Sequence, residues 1–231
     1  MKLSESVENK DAIAADQTSA DTAPGRTAVT SETDPFAAAN ASLELASKWV
    51  DNALLMLWTA RRAVETSSRG GAAGLSIDIV RRHFHTDRSL SAYSESQNIS
   101  RIETRFRQMK LALMQSSSIF SFVDDVTAIE NTRGIYDSET TVAAYAYSHG
   151  HIALTNKFAA LGPNCRAAVI IHQLAHYIDP QVRDSAGSVG TAYDGLDIES
   201  ALLNVHCYPN FAVNSTPPHL DNRYGMLKQA E

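Results

Sequence analysis

The segment from Arg166 to Tyr177, RAAVIIHQLAHY, is an apolar run broken by His172 and His176. A spacing of four stacks two side chains on one face of a helix, so both imidazoles point the same way and can grip one metal ion. Ile178, Asp179 and Pro180 follow directly. Proline disfavours helical geometry in the residue before it, so the helix must stop near Tyr177 or Ile178. At the other end, Leu161 to Asn164 punctuates the chain and puts Pro163 or Asn164 near the helix start.

A chain of 231 residues, 44% of them hydrophobic, supplies one sizeable core, and a single domain over residues 36–231 is expected. The net charge of −6 is unevenly spread. Residues 1–35 hold Glu5, Glu8, Asp11, Asp16, Asp21, Glu32 and Asp34 against Lys2, Lys10 and Arg26, a net −4. The rest is close to neutral, which argues against a nucleic-acid-tracking surface or a polybasic membrane patch. Residues 1–35 are rich in Ser, Thr, Ala and acid and lack aromatics. Such a stretch does not offset its ordering entropy and reads as a disordered leader. Leaders of this kind occur on bacterial proteins exported without a cleaved signal. No apolar run reaches membrane-spanning length and the first residues lack a secretory core, so the cytoplasm is the default. A monomer is expected. Cys165 and Cys207 form no CxxC pair and read as reduced, buried thiols.

Along the chain, Ala46, Trp49, Val50, Ala53, Leu54, Leu57, Ala60 and Val64 share one face of a long helix from Asn40 to about Glu65. Ser67 to Gly74 reads as a flexible break, and Leu75 to Phe84 as a short helix. His83 and His85, two apart, read as a surface loop rather than a metal pair. Ile99, Ile102, Phe106, Met109 and Leu113 mark an amphipathic helix over Gln97 to Met114. Its opposite face, with Arg101, Glu103, Arg105, Arg107 and Lys110, reads as solvated. Strands are expected at Ile119 to Val123, Val142 to Tyr147 and His151 to Thr155, the last two a hairpin with His149 and His151 exposed beside its turn. Gln181 to Asp194 reads as a loop. Asp197 caps a last helix, Ile198 to about Phe211, which Pro209 kinks or ends.

In zinc hydrolases with a His-Glu-x-x-His helix, the glutamate is the general base for a zinc-bound water. Here that position is Gln173. A catalytic zinc takes three protein ligands and a water, so a third donor must come from outside the helix. Asp179, Asp184 and Asp194 lie close behind it. Without a metal, His172 and His176 would be hydrogen-bonded histidines of the core.

The hairpin VAAYAYSHGHIALTNKF, the HxxxH helix, and the later Tyr193, Leu196, Ala201, Asn204, Tyr208, Phe211 and Ala212 together resemble the deuterolysin-type metallopeptidases. These aspzincins include the lysine-specific metallo-endopeptidase domain. The resemblance runs from about Thr141 to Ala212 and is only general before Leu113. It implies an α+β, zincin-like domain, mostly helical with a small antiparallel sheet, that uses zinc to cut peptide bonds. Family ligands are the two histidines and an aspartate from a following GTxDxxYG stretch, whose tyrosine assists catalysis. His172 and His176 match the histidines, and Asp184 falls where the aspartate belongs. Asp179 is the second choice and Asp194 the third, although Gly190 and Thr191 before it echo the family's Gly-Thr. Gly187 stands where the tyrosine is expected, which leaves Tyr193 to serve by another loop path. Asn204 and Tyr208 look like the helix behind the site. Gln cannot take a proton from water, and losing a general base costs about 10²- to 10⁴-fold in rate. Two functional expectations follow: an impaired zinc endopeptidase, or an inactive pseudo-peptidase that binds a peptide or protein partner.

Overall fold

The computed structural model describes residues 35–68, 70–123, 144–147, 151–155, 158–159, 161–186 and 190–217. The acidic leader, His149 and Gly187 lie outside them.

Helix α1, Pro35–Thr66, runs longer than its apolar stripe predicts. Ala39, Ala46, Ala53 and Ala60, seven apart, are fully buried along it, with Val50 and Leu57 beside them. Small side chains at that repeat let neighbouring helices approach closely, and α1 packs against α2 (Gly71–Phe84), α3 (Ala92–Met114) and α5 (Pro163–Ile178). The expected flexible break is shorter than predicted, because Gly71 to Gly74 already belong to α2 and Ser67 and Gly71 make the turn at positive φ. Helix α3 also starts early, where the Ser91 side chain accepts the Ser94 backbone N–H.

The charged face of α3 is only in part the solvated face its pattern predicts. Glu103 is buried and bonded by Arg61 and Arg107. Arg101 forks onto Glu199 at 2.6 and 2.9 Å, and Lys110 reaches Asp51 at 2.7 Å. Arg101 and Arg107 are exposed as the pattern predicts, whereas the buried Glu103 and the Arg101 and Lys110 pairs reach neighbouring elements, which amphipathic periodicity within one helix does not reveal.

One turn of helix, α4 (Ser116–Ile119), feeds β1 (Phe120–Val123). Strands β2 (Ala144–Tyr147) and β3 (His151–Thr155) pair antiparallel, with Tyr147 opposite His151 and Ala144 opposite Leu154. The other edge of β3 takes β1 in parallel, Phe120 opposite Ile152, giving the order β1-β3-β2. The sheet is therefore mixed, not the small antiparallel sheet expected. Hairpin patterning fixes only β2 against β3; the direction of β1 is set by the helix that feeds it. As the middle strand β3 is buried from Ile152 to Thr155, while His151 at its start is exposed.

Helix α5 lies between the sheet and helices α1, α3 and α8 (Cys207–Asn214), which explains why it is apolar nearly all round. Pro163 opens it at the first helical position, and Asp179 leaves it in extended geometry before Pro180. After it come two short helices, α6 (Thr191–Asp194) and α7 (Ile198–Leu203). The expected single last helix is two, broken at Asn204 to His206 and not at Pro209. Pro209 sits in the first turn of α8, where its missing N–H costs nothing. The break arises because Asn204 pairs in parallel with Arg183 instead: Arg183 N–H donates to Leu203 O at 2.8 Å, and Val205 N–H to Arg183 O at 3.0 Å.

Four aromatic rings tie α2, α3 and α8 together. Phe84 and Phe106 each lie 5.4 to 5.8 Å from Tyr208 and Phe211, in edge-on or tilted contact. Among the described residues no helix is long and apolar enough to cross a membrane. Phe106 is fully buried in this cluster, whereas Leu111 on the same helix is 60% exposed. Phe106→Ala is therefore expected to lower the unfolding free energy by about 3–5 kcal/mol in urea titration, and Leu111→Ala by less than about 0.5 kcal/mol.

Candidate metal centre

The Arg183–Asn204 pairing sets Asp184, one residue beyond Arg183, beside His206, two residues beyond Asn204. Both then face the histidine side of α5. His172 Nε2 lies 3.4 Å from Asp184 Oδ1, His176 Nε2 3.3 Å from Oδ2, and His206 Nε2 3.2 Å from Oδ1. The His172 ring centroid is 5.0 Å from that of His176 and 5.2 Å from that of His206. Donors about 2.0 Å from a shared tetrahedral ion are separated from one another by roughly 3.3 Å. The three imidazole–carboxylate separations match that spacing, and His172, Asp184 and His206 can each offer an atom within 4.8 Å of the others, so the cluster could hold a cation.

One orienting bond matters here. His176 Nδ1 is 3.0 Å from Val182 O, a carbonyl that can only accept, so Nδ1 carries a hydrogen and Nε2 is turned toward Asp184. With Nδ1–H committed to Val182 O, the contact of Nε2 with the carboxylate oxygen is bridged either by a second ring proton or by a cation. Hydrogen bonds to His176 and His206 hold the Asp184 carboxyl well below the usual carboxylate range. Burial pushes His172 down to about 3, against the opposing pull of Asp184, so its imidazole stays neutral and able to ligate.

The other sequence candidates lie elsewhere. Asp179 pairs with Arg105, and its Oδ1 accepts the Gln181 N–H at 2.9 Å, so it serves as a helix-end anchor and not as a member of the histidine cluster. Arg105 also donates to Leu202 O and the Tyr208 hydroxyl, which fixes α7 and α8 against α3. Asp194 ends α6, and its carbonyl accepts from Arg88 at 3.0 Å. Tyr193 is fully buried, its hydroxyl 2.8 Å from His83 Nδ1. Gln173 is half-buried on α5, one residue past His172.

His83 and His85 are not the surface-loop residues expected. His83 is fully buried between Tyr193 and Asn214 Nδ2, which is 2.7 Å from its Nε2. His85 is buried at the α2 end and bonds Tyr193 O at 3.2 Å. Both Cys165 and Cys207 are free and buried, and burial pushes the Cys207 thiol up to about 12.

His206 escaped the sequence reading because it was placed inside a continuous helix. Only its polarity within the apolar stretch NVHCYPNF hinted at a role. Comparison of the chain with protein-family models, curated proteins and solved structures gives no match.

In the absence of metal, the low affinity of His172 for protons has a measurable consequence. As pH falls below about 6.5, the unfolded chain protonates this histidine while the folded chain does not, so the unfolded state binds more protons and stability drops. Asp184 acts in the same direction at lower pH, because the unfolded carboxyl protonates first. In chelator, urea titrations between about pH 6.5 and pH 4.5 are expected to show wild type losing on the order of 2 kcal/mol more than His172→Gln. Equal losses would show that burial does not hold this imidazole neutral.

Proposed function

We propose that this protein is a zinc metallopeptidase-type scaffold of zincin-like fold, with His172, His176 and Asp184 as ligands and Gln173 where the general base of such enzymes stands. The observation that carries this reading is the convergence of both α5 histidines on Asp184 at 3.3 and 3.4 Å. Imidazole nitrogens with one carboxylate suit zinc better than magnesium or calcium, which prefer all-oxygen shells. Bound there, zinc would lower the pKa of a coordinated water and polarise a peptide carbonyl. The chain itself supplies orientation: the Val182 carbonyl fixes the His176 ring, and the Arg183 pairing fixes Asp184.

What the chain does not supply is a proton acceptor at position 173. Gln173 can hydrogen-bond a water or a bound peptide but takes no proton, so hydrolysis is slowed by about 10²- to 10⁴-fold. A second reading, an inactive pseudo-peptidase that binds a peptide or protein partner, is favoured by Tyr193, whose hydroxyl is bonded to His83 in the core.

Metal analysis of the purified chain is expected to give close to one zinc per molecule, and His172→Ala with His176→Ala to abolish it. Fewer than about one zinc in ten chains, with no stability change on chelation, would reject the proposal. Gln173→Glu separates the two readings. A gain of about 10²-fold or more in cleavage of lysine-containing peptides marks an enzyme disabled at one position. No gain marks a binding protein.

A further inference from the structure

We infer that His206 is a fourth protein ligand of the same ion, so that the centre is closed and leaves no coordination position for water or substrate. This rests on the metal-binding part of the proposed function, with His172, His176 and Asp184 as ligands, and selects its binding-protein reading over the hydrolytic one.

Position is the first ground. His206 Nε2 is 3.2 Å from Asp184 Oδ1, nearer than either α5 histidine is to that carboxylate. When each residue offers one atom, His172, Asp184 and His206 form a set whose members all lie within 4.8 Å of one another; His176 is not in that set and joins the cluster through its 3.3 Å contact with Asp184 Oδ2. A general acid or base would stand a hydrogen bond away from a metal-bound water and hence farther from the ligand atoms. His206 stands among them.

Burial is the second ground. The His206 side chain is 17% exposed, against 21% for His172, 23% for His176 and 57% for Asp184. A group that meets substrate needs an open side, and His206 is the most covered of the four.

Backbone is the third. His206 lies in the break between α7 and α8, held by the Val205 N–H bond to Arg183 O and by Tyr208 two residues on, whose hydroxyl donates to Leu202 O at 2.7 Å. Its ring is therefore aimed by fixed structure and not by a mobile loop. Four protein ligands mark a structural zinc, whereas catalytic sites keep three and a water. In this protein the ion would join α5, the Val182–Asp184 strap and the α7–α8 corner, three segments otherwise joined by few backbone bonds.

The test uses cobalt(II) as a spectroscopic stand-in and acetohydroxamate as a small chelating ligand that needs open positions. Wild-type full-length protein is expected to give intense visible bands of a tetrahedral cobalt site that do not shift with millimolar acetohydroxamate. His206→Ala is expected to bind cobalt at least about tenfold more weakly and to shift its bands on adding the ligand. If wild-type bands shift with acetohydroxamate, and His206→Ala leaves affinity unchanged, the closed centre is overturned while the metal site stands. If wild type gives no cobalt bands, the metal site itself fails and this inference with it. The wild-type measurement decides the matter even if the variant does not fold.

Discussion

Two backbone hydrogen bonds between Arg183 and the Leu203–Val205 segment hold the candidate centre together. Without them Asp184 would belong to an ordinary loop after α5, and His206 to the middle of an uninterrupted helix. Pairing diverts the backbone at Asn204, breaks that helix, and turns both side chains toward His172 and His176. Supports converge on the same place from the outside. Arg105 ties α3 to the end of α5 at Asp179 and to the end of α7 at Leu202. Tyr208 packs its ring against Phe84 and Phe106 while its hydroxyl bonds Leu202 O. The site is thus held by bonds at the ends of elements and by a rigid aromatic layer behind them.

Electrostatics make such a cluster costly unless something positive occupies it. Three imidazoles share one carboxylate, and the best buried of the α5 pair, His172, is kept neutral by burial. The His176 Nδ1–H goes to Val182 O, which turns Nε2 toward the Asp184 carboxylate. One proton relieves that contact, but only by charging a half-covered ring; a divalent cation relieves it and the facing of His172 and His206 together. The Val182 O bond orients His176, and all three imidazoles meet the one Asp184 carboxylate, an arrangement that would suit a bound cation.

Much of this was legible from residue order, and the reasons differ by element. Seven-residue repeats on α1 and the three-four repeats on α3 announced those helices, because burial of a continuous face is written in local spacing. His172, His176 and the stop at Pro180 were legible for the same reason. Nothing local distinguishes Asp184 from Asp179; what separates them is that Arg105, 74 residues earlier in the chain, pairs with Asp179 while Asp184 lies beside the histidines. His206 was hidden because apolar periodicity runs straight through Asn204, and the pairing that breaks the helix comes from a segment about twenty residues away. The direction of β1 was hidden likewise: pattern says strand, and only its neighbour says parallel.

Gln173 and His206 bear on one event. A carboxylate at position 173 is useful only where a water sits on the metal waiting to lose a proton. With a third imidazole on the ion, as proposed, that water would have no place, and the neutral amide at 173 would take away nothing the centre uses. A glutamate there would add a second negative charge near Asp184 without a proton to accept, raising the cost of the half-buried site. An amide and an extra histidine therefore suit each other, and both suit an ion held to fix three segments of chain. On the proposed four-ligand reading, α5 would serve as a metal clasp and not as part of a hydrolytic site.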